Sequence, residues 1–148
     1  MTSTTSFGRR WILVAISLAL LAGSSAAAQA ATSTPLTLST KNQINFGRVP
    51  VGTTAYQTVT LTNNSSDTAI VSGAGVSAET GAFGLVFETV TCGGTLPPGA
   101  SCSWTIAFTP PWRGKHIGQT DTLAATIAAD GSALYTLQAK VKLIGWGT

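Results

Sequence analysis

Charge is what this sequence has least of: Lys and Arg together number 8, Asp and Glu 5, only 9% of 148 residues. There is a single histidine, His116, a single methionine at the start, and two cysteines, Cys92 and Cys102. So few titratable groups leave little from which to build an acid–base site or a metal centre. The acids Asp67, Glu79, Glu88, Asp121 and Asp130 are too dispersed for paired carboxylates or a calcium loop. A nucleophile–base pair would need a Ser or Cys within reach of His116 and a carboxylate behind the ring, and only Asp121 is on offer. The chain is therefore expected not to be an enzyme and to need no cofactor or metal. A nucleic-acid reader needs a clustered basic footprint. Lys41, Arg48, Arg113, Lys115, Lys140 and Lys142 are scattered along the sequence, so no nucleic-acid partner is expected. Beyond Ala31 there is also no sustained apolar repeat at helical spacing, which leaves strands.

The first thirty residues read differently from the rest. Arg9-Arg10 precede an apolar run from Trp11 to Ala22 broken only by Ser17, and Ala28-Gln29-Ala30 fits the small-x-small rule for cleavage. The run is shorter than the roughly 20 apolar residues a spanning helix needs. Residues 1–30 are expected to be a signal peptide. Stretching the run to Ala28 would instead make an uncleaved anchor, and the Arg pair admits a twin-arginine reading that lacks its usual flanks. With no cysteine near the cleavage point, a lipid anchor is not expected. The mature chain, residues 31–148, fits one domain with a real core and no membrane span. Arg9 and Arg10 leave with the leader, so six basic residues face five acids and the net charge falls to +1. The destination is the periplasm, the cell surface or the exterior.

The clearest strand follows the second cysteine. Cys102, Trp104, Ile106 and Phe108 alternate with Ser103, Thr105, Ala107 and Thr109, and Pro110-Pro111 then stops the ladder because neither can donate a backbone hydrogen bond. Trp104 falls on the apolar face and is expected in the core. Shorter candidates are Leu36 to Leu38, Ile44 to Phe46, Ala55 to Thr62 and Ala69 to Val71. Phe83 to Val90 is another, with Leu85 and Phe87 pointing inward, and Leu123 to Ala128 precedes the Asp130-Gly131 hairpin signal. The last strand is the longest: Ala133, Tyr135, Leu137, Ala139, Val141 and Leu143 share a face, while Thr136, Gln138, Lys140 and Lys142 face water. Trp112 to Gly118 reads as a connection. About seven short strands with Gly, Pro, Asn and Asp turns argue for an all-β, immunoglobulin-like antiparallel β-sandwich.

Two cysteines in an exported chain point to a disulfide, Cys92–Cys102, worth about 3 kcal/mol by chain entropy. Gly93-Gly94 and Pro97-Pro98-Gly99 force a tight reversal between them. Gly73-Ala74-Gly75-Val76-Ser77-Ala78 matches a GxGxxA dinucleotide pattern, but Gly81 and Gly84 break the helix it requires, so it reads as a turn. Asn63-Asn64-Ser65 and Asn64-Ser65-Ser66 fit the glycosylation pattern and otherwise read as a polar turn. His116 reads as a solvated loop histidine. Trp112, after two prolines and before charged residues, stands either exposed or capping the sandwich end, and Trp146 between glycines could cover an open end.

Ile44-Asn45-Phe46-Gly47, Val51-Gly52, Val59-Thr60-Leu61-Thr62-Asn63, Cys92-Gly93-Gly94-Thr95-Leu96, Pro98-Gly99-Ala100-Ser101-Cys102, Phe108-Thr109-Pro110 and Gly114 together resemble one bacterial family. It is the choice-of-anchor D type of immunoglobulin-like domain, related to ASPM–Hydin-type (ASH) domains and more distantly to major sperm protein and pilus-chaperone folds. The ending Leu143-Ile144-Gly145-Trp146-Gly147 is similar to that family's Leu-x-Gly-x-Gly. The resemblance covers nearly all of the mature chain. It implies a sandwich serving exported or surface proteins as a structural or interaction module, often in tandem, whereas this chain carries one copy. Trp104 and Pro111-Trp112-Arg113 depart from the family's plainer residues. The expected binding surface is a loop end built from Trp112, Arg113, Lys115 and His116, or an unpaired edge strand, meeting a protein partner or envelope component. The alternative is a small carbohydrate-binding module that stacks glycan on Trp112 and Trp146.

Overall fold

In a computed structural model, which describes residues 34–40 and 42–148, the described residues form nine strands and one 3-10 turn. In order these are β1 (Leu36–Leu38), β2 (Gln43–Val49), β3 (Ala55–Asn63), β4 (Ala69–Ala78), β5 (Phe83–Val86), the turn Phe87–Thr89, β6 (Gly94–Leu96), β7 (Ser101–Phe108), β8 (Gly114–Ile127) and β9 (Ala133–Gly147). The expected leader and Lys41 lie outside the described residues. The strands form two sheets, β1-β3-β7-β5 and β2-β9-β8-β4-β6, which close on their apolar faces as an immunoglobulin-like sandwich. The count exceeds the expected seven because β1, β5 and β6 are pieces of only three or four residues. Nor is every pair antiparallel: β2 runs parallel to β9, Ile44 beside Leu143 and Arg48 beside Trp146.

β7 sits inside the first sheet, between β3 and β5. Its alternation puts Cys102, Trp104, Ile106 and Phe108 inward, all buried. Leu61 and Val59 of β3 stand opposite Cys102 and Trp104, and Val71, Ala124, Val141 and Leu143 meet them from the other sheet as part of one core. Burying each larger aliphatic or aromatic side chain here contributes about 1.5–3 kcal/mol. One end of the core is aromatic: Phe46, Phe83 and Phe108 lie with ring centroids 4.7 to 5.5 Å apart.

β8 is the strand the sequence pattern misplaces. It begins at Gly114, inside the expected connection, and its inward residues are His116, Gly118, Thr120, Thr122, Ala124 and Thr126. Ile117 and Leu123, the residues a pattern reader would bury, face out and are exposed. The inversion is stable because Thr120 and Thr122 have partners. Thr120 Oγ1 donates to the Gly75 carbonyl (2.7 Å) and accepts from Trp104 Nε1 (3.0 Å), and Thr122 Oγ1 donates to the Gly73 carbonyl (2.7 Å). Buried hydroxyls cost little once bonded. Those glycines belong to β4, so the GxGxxA stretch is neither a helix start nor a turn. It continues the strand through a bulge between Val71 and Ala74, where Gly73 takes φ +108°.

Phe87 also departs from its expected place. β5 ends at Val86 and the chain tightens into the 3-10 turn, with Val90 N–H donating to the Phe87 carbonyl. The ring is left 78% exposed, and Phe83 takes the core position. The disulfide forms as expected, joining Cys92 to Cys102 of β7 with Cα atoms 4.9 Å apart. Within the bridged loop, β6 pairs with β4 of the opposite sheet, so the loop ties the two layers together. Asn63 anchors the same region. Fully buried, it donates through Nδ2 to the Asp67 (2.8 Å) and Leu96 (3.0 Å) carbonyls and accepts from Ser65 N–H and Oγ. It is a structural staple, not part of a loose polar turn. The Asp130-Gly131 hairpin forms as read, and Ser132, by hydroxyl first and backbone N–H second, holds the Asp130 carboxyl below its ordinary value.

Candidate functional site

Beyond Phe108 the chain leaves the first sheet, passes Pro110-Pro111 and enters the second at Gly114, which takes φ +122°. A loop end is therefore forced at this point, and it carries Trp112 and Arg113 with Lys115 just inside β8. Trp112 is 53% exposed, and Arg113 and Lys115 are exposed. His116 is not. It is 1% exposed and points inward from β8, which removes it from the contact surface and overturns the solvated-loop reading.

His116 is instead the prop beneath the loop. Its Nε2 lies 3.0 Å from the Trp112 carbonyl. A carbonyl can only accept, so Nε2 carries the hydrogen and Nδ1 is left to accept from Thr80 Oγ1 at 3.4 Å. The imidazole centroid is 5.8 Å from that of Phe108 on one side and 5.2 Å from that of Trp112 on the other. A continuous file of rings thus runs from the core to the exposed indole. Two glycines of β9 let the backbone close in. A side chain at Gly145 would strike the Phe108 ring, and one at Gly147 would strike the Trp112 carbonyl. That is the physical content of the Gly-x-Gly ending.

The same geometry rules on chemistry. His116 faces inward and Asp121, five residues on along the same strand, faces outward, so Asp121 cannot stand behind the ring. Among the described residues no three His, Cys, Asp or Glu gather closely enough to hold a metal ion. Strand register adds Arg48, which sequence reading did not connect with the loop, and sets Trp146 against Lys115. Trp146 of β9 stands opposite Lys115 of β8 and beside Arg48 of β2. Lys115 Nζ lies 5.7 Å from the Trp146 ring centroid, a cation–π contact, and the indole remains 36% exposed. Reflecting the chain about the Asp130-Gly131 turn puts Lys115 opposite Trp146, so this signal was present in the sequence.

Residues 32–128 match the family described as abnormal spindle-like microcephaly-associated, ASPM-SPD-2-Hydin. The chain belongs to the ASH family. The match ends at the turn before β9, so the strand carrying Gly145 and Trp146 lies beyond it. No curated protein matches this ASH chain. Among solved structures it is similar to the ASH / PapD-like domain 7 of human CEP192, with TM-score 0.56 and 18% identity over 78% of this chain and 87% of that one. It is also similar to the VesB protease of Vibrio cholerae, with TM-score 0.56 and 19% identity over 76% of this chain but only 32% of the protease. A third is the periplasmic chaperone SfaE, with TM-score 0.53 and 11% identity over 76% of this chain and 57% of that one. What the ASH chain shares with these three is the fold.

Proposed function

We propose that this chain is an exported, non-enzymatic structural or protein-interaction module of the cell envelope, and that a protein partner docks on the Trp112 end of the sandwich. The observation that carries the reading is an indole half exposed yet fixed from beneath by His116. Exposed tryptophan with a neighbouring arginine is the composition of binding hot spots, and a side chain already held in place loses little entropy on docking. Residues 1–30 act as the signal peptide and 31–148 as the working domain, in the manner of bacterial choice-of-anchor D proteins. The disulfide suits an oxidising compartment, and the described residues include no helix long and apolar enough to cross a membrane. The periplasm of the SfaE chaperone is one such compartment, the cell surface another.

A second mode has its own support. β9 pairs with β8 along its whole length, but β2 meets β9 only from Lys142 onward. Among the described residues, the stretch from Ala133 to Val141 is paired on one side only, an edge to which a partner strand can add. In a pull-down from the envelope fraction with wild type and Trp112→Ala/Arg113→Ala, we expect the principal partner to be lost from the double variant. Unchanged recovery of that partner would remove the loop as the docking site and leave the β9 edge.

A further inference from the structure

The outer face of the second sheet gathers what the sequence scatters. From β8 it presents Lys115, Ile117, Gln119 and Asp121, and directly opposite on β9 stand Trp146, Lys142 and Lys140, with Ile144 buried between Trp146 and Lys142. From β2, Arg48 lies beside Trp146, Asn45 beside Ile144 and Gln43 beside Lys142. Four of the six basic residues beyond the leader therefore share one sheet face, with Arg113 on the adjoining loop. The acids sit to one side. The Asp121 carboxylate lies over β4, with Oδ1 2.6 Å from where a Gly75 Cβ would be, and Glu79 follows the end of β4. The cations instead run along β9 and its flanks, interleaved with the amides of Gln43, Asn45, Gln119 and Gln138, and with Trp146 at one end.

We infer that this face is a binding site for an acidic polysaccharide, a chain of uronate-bearing sugars laid along β9. Alternate residues of a strand are roughly 6.8 Å apart and adjacent strands roughly 4.8 Å. Lys140, Lys142, Lys115 and Arg48 therefore offer a grid of cations to carboxylates spaced along a stiff polymer. The amides supply paired donors and acceptors for ring hydroxyls. Trp146 offers an apolar ring face on which a sugar can stack at the end of the row. Charge complementarity selects the anion. The amides set between the cations select a polymer dense in hydroxyls, a sugar chain, because each can donate to and accept from ring hydroxyls. The site does not depend on Trp112, so it stands or falls separately from the docking loop.

The test is affinity electrophoresis of the whole secreted protein through gels containing polygalacturonate, neutral pullulan or poly-glutamate. We expect retardation by polygalacturonate that fades as salt is added, and none by pullulan. Lys140→Gln/Lys142→Gln changes two solvated side chains and is expected to keep the thermal midpoint while weakening binding about tenfold, the scale of losing charge-assisted hydrogen bonds. Trp146→Ala is expected to weaken it further and to abolish any ligand-induced change in tryptophan fluorescence. Retardation by poly-glutamate equal to that by polygalacturonate would overturn the assignment to sugar. Wild-type affinity in the Lys140→Gln/Lys142→Gln variant, or no binding at low salt, would overturn the site.

Discussion

Phe108→Ala is expected to cost about 3–5 kcal/mol, the range for truncating a fully buried aromatic side chain. Phe108 has no exposed surface and is the hub of the ring file, touching Phe46, Phe83 and His116. Its loss opens a cavity between the sheets and also removes the wall against which His116 leans, so the loop carrying Trp112 should loosen with it. Gly145 gives this prediction a sharper form. A methyl at that position would strike the Phe108 ring, so Gly145→Ala alone is expected to destabilise by about 1–3 kcal/mol through overpacking. In the Phe108→Ala/Gly145→Ala double variant the obstacle is gone and the methyl enters the cavity. The two costs should then fall clearly short of their sum, as for residues in direct contact. Urea unfolding of the four proteins gives the coupling directly; strict additivity would mean that the ring and the glycine do not meet.

Removing the bridge has the next largest effect. Cys92→Ser/Cys102→Ser is expected to lose about 3 kcal/mol, if constraint of the unfolded chain dominates. For a domain of this size that corresponds to a fall of roughly 12 °C in Tm. Both sulfurs are buried, and the loop they close carries β6 across to the opposite sheet beside the Asn63 staple. Loss of hydrogen-exchange protection should therefore concentrate at β6 and the 63–67 turn, not spread evenly. A midpoint lowered by less than about 3 °C, measured under oxidising conditions, would show that the Asn63 bonds and the β4–β6 pairing hold the loop unaided.

Sequence pattern alone located β7, the Asp130-Gly131 hairpin and β9 as the longest strand, because in each an apolar face alternates with polar residues beside a Pro or Asp-Gly breaker. The alternation reaches only Leu143, whereas β9 runs on to Gly147. It failed at β8 for a physical reason. There the inward row is histidine, glycine and threonine, acceptable only because carbonyls of β4 and the Trp104 indole are waiting for the hydroxyls, and such partners are invisible in one dimension. Phe87 was misread because a strand that leaves its sheet early keeps its alternation on paper. The site shows the same division. Trp112, Arg113 and Lys115 stand out as an aromatic–basic cluster beyond two prolines, but burial of His116 depends on which face of β8 it takes. Trp146 meets Lys115 by reflection about the Asp130-Gly131 turn, but Arg48 joins them only through the β2–β9 register.

Long-range proton–nitrogen correlation NMR of the His116 imidazole at neutral pH is the most direct test of a loop end held rigid by the core. The expected result is a single Nε2–H tautomer whose ring proton exchanges slowly with water, with cross-relaxation to the rings of both Phe108 and Trp112. Averaged nitrogen signals, rapid solvent exchange and no contact to either ring would contradict it, and Trp112 would then be a mobile surface residue with nothing beneath it.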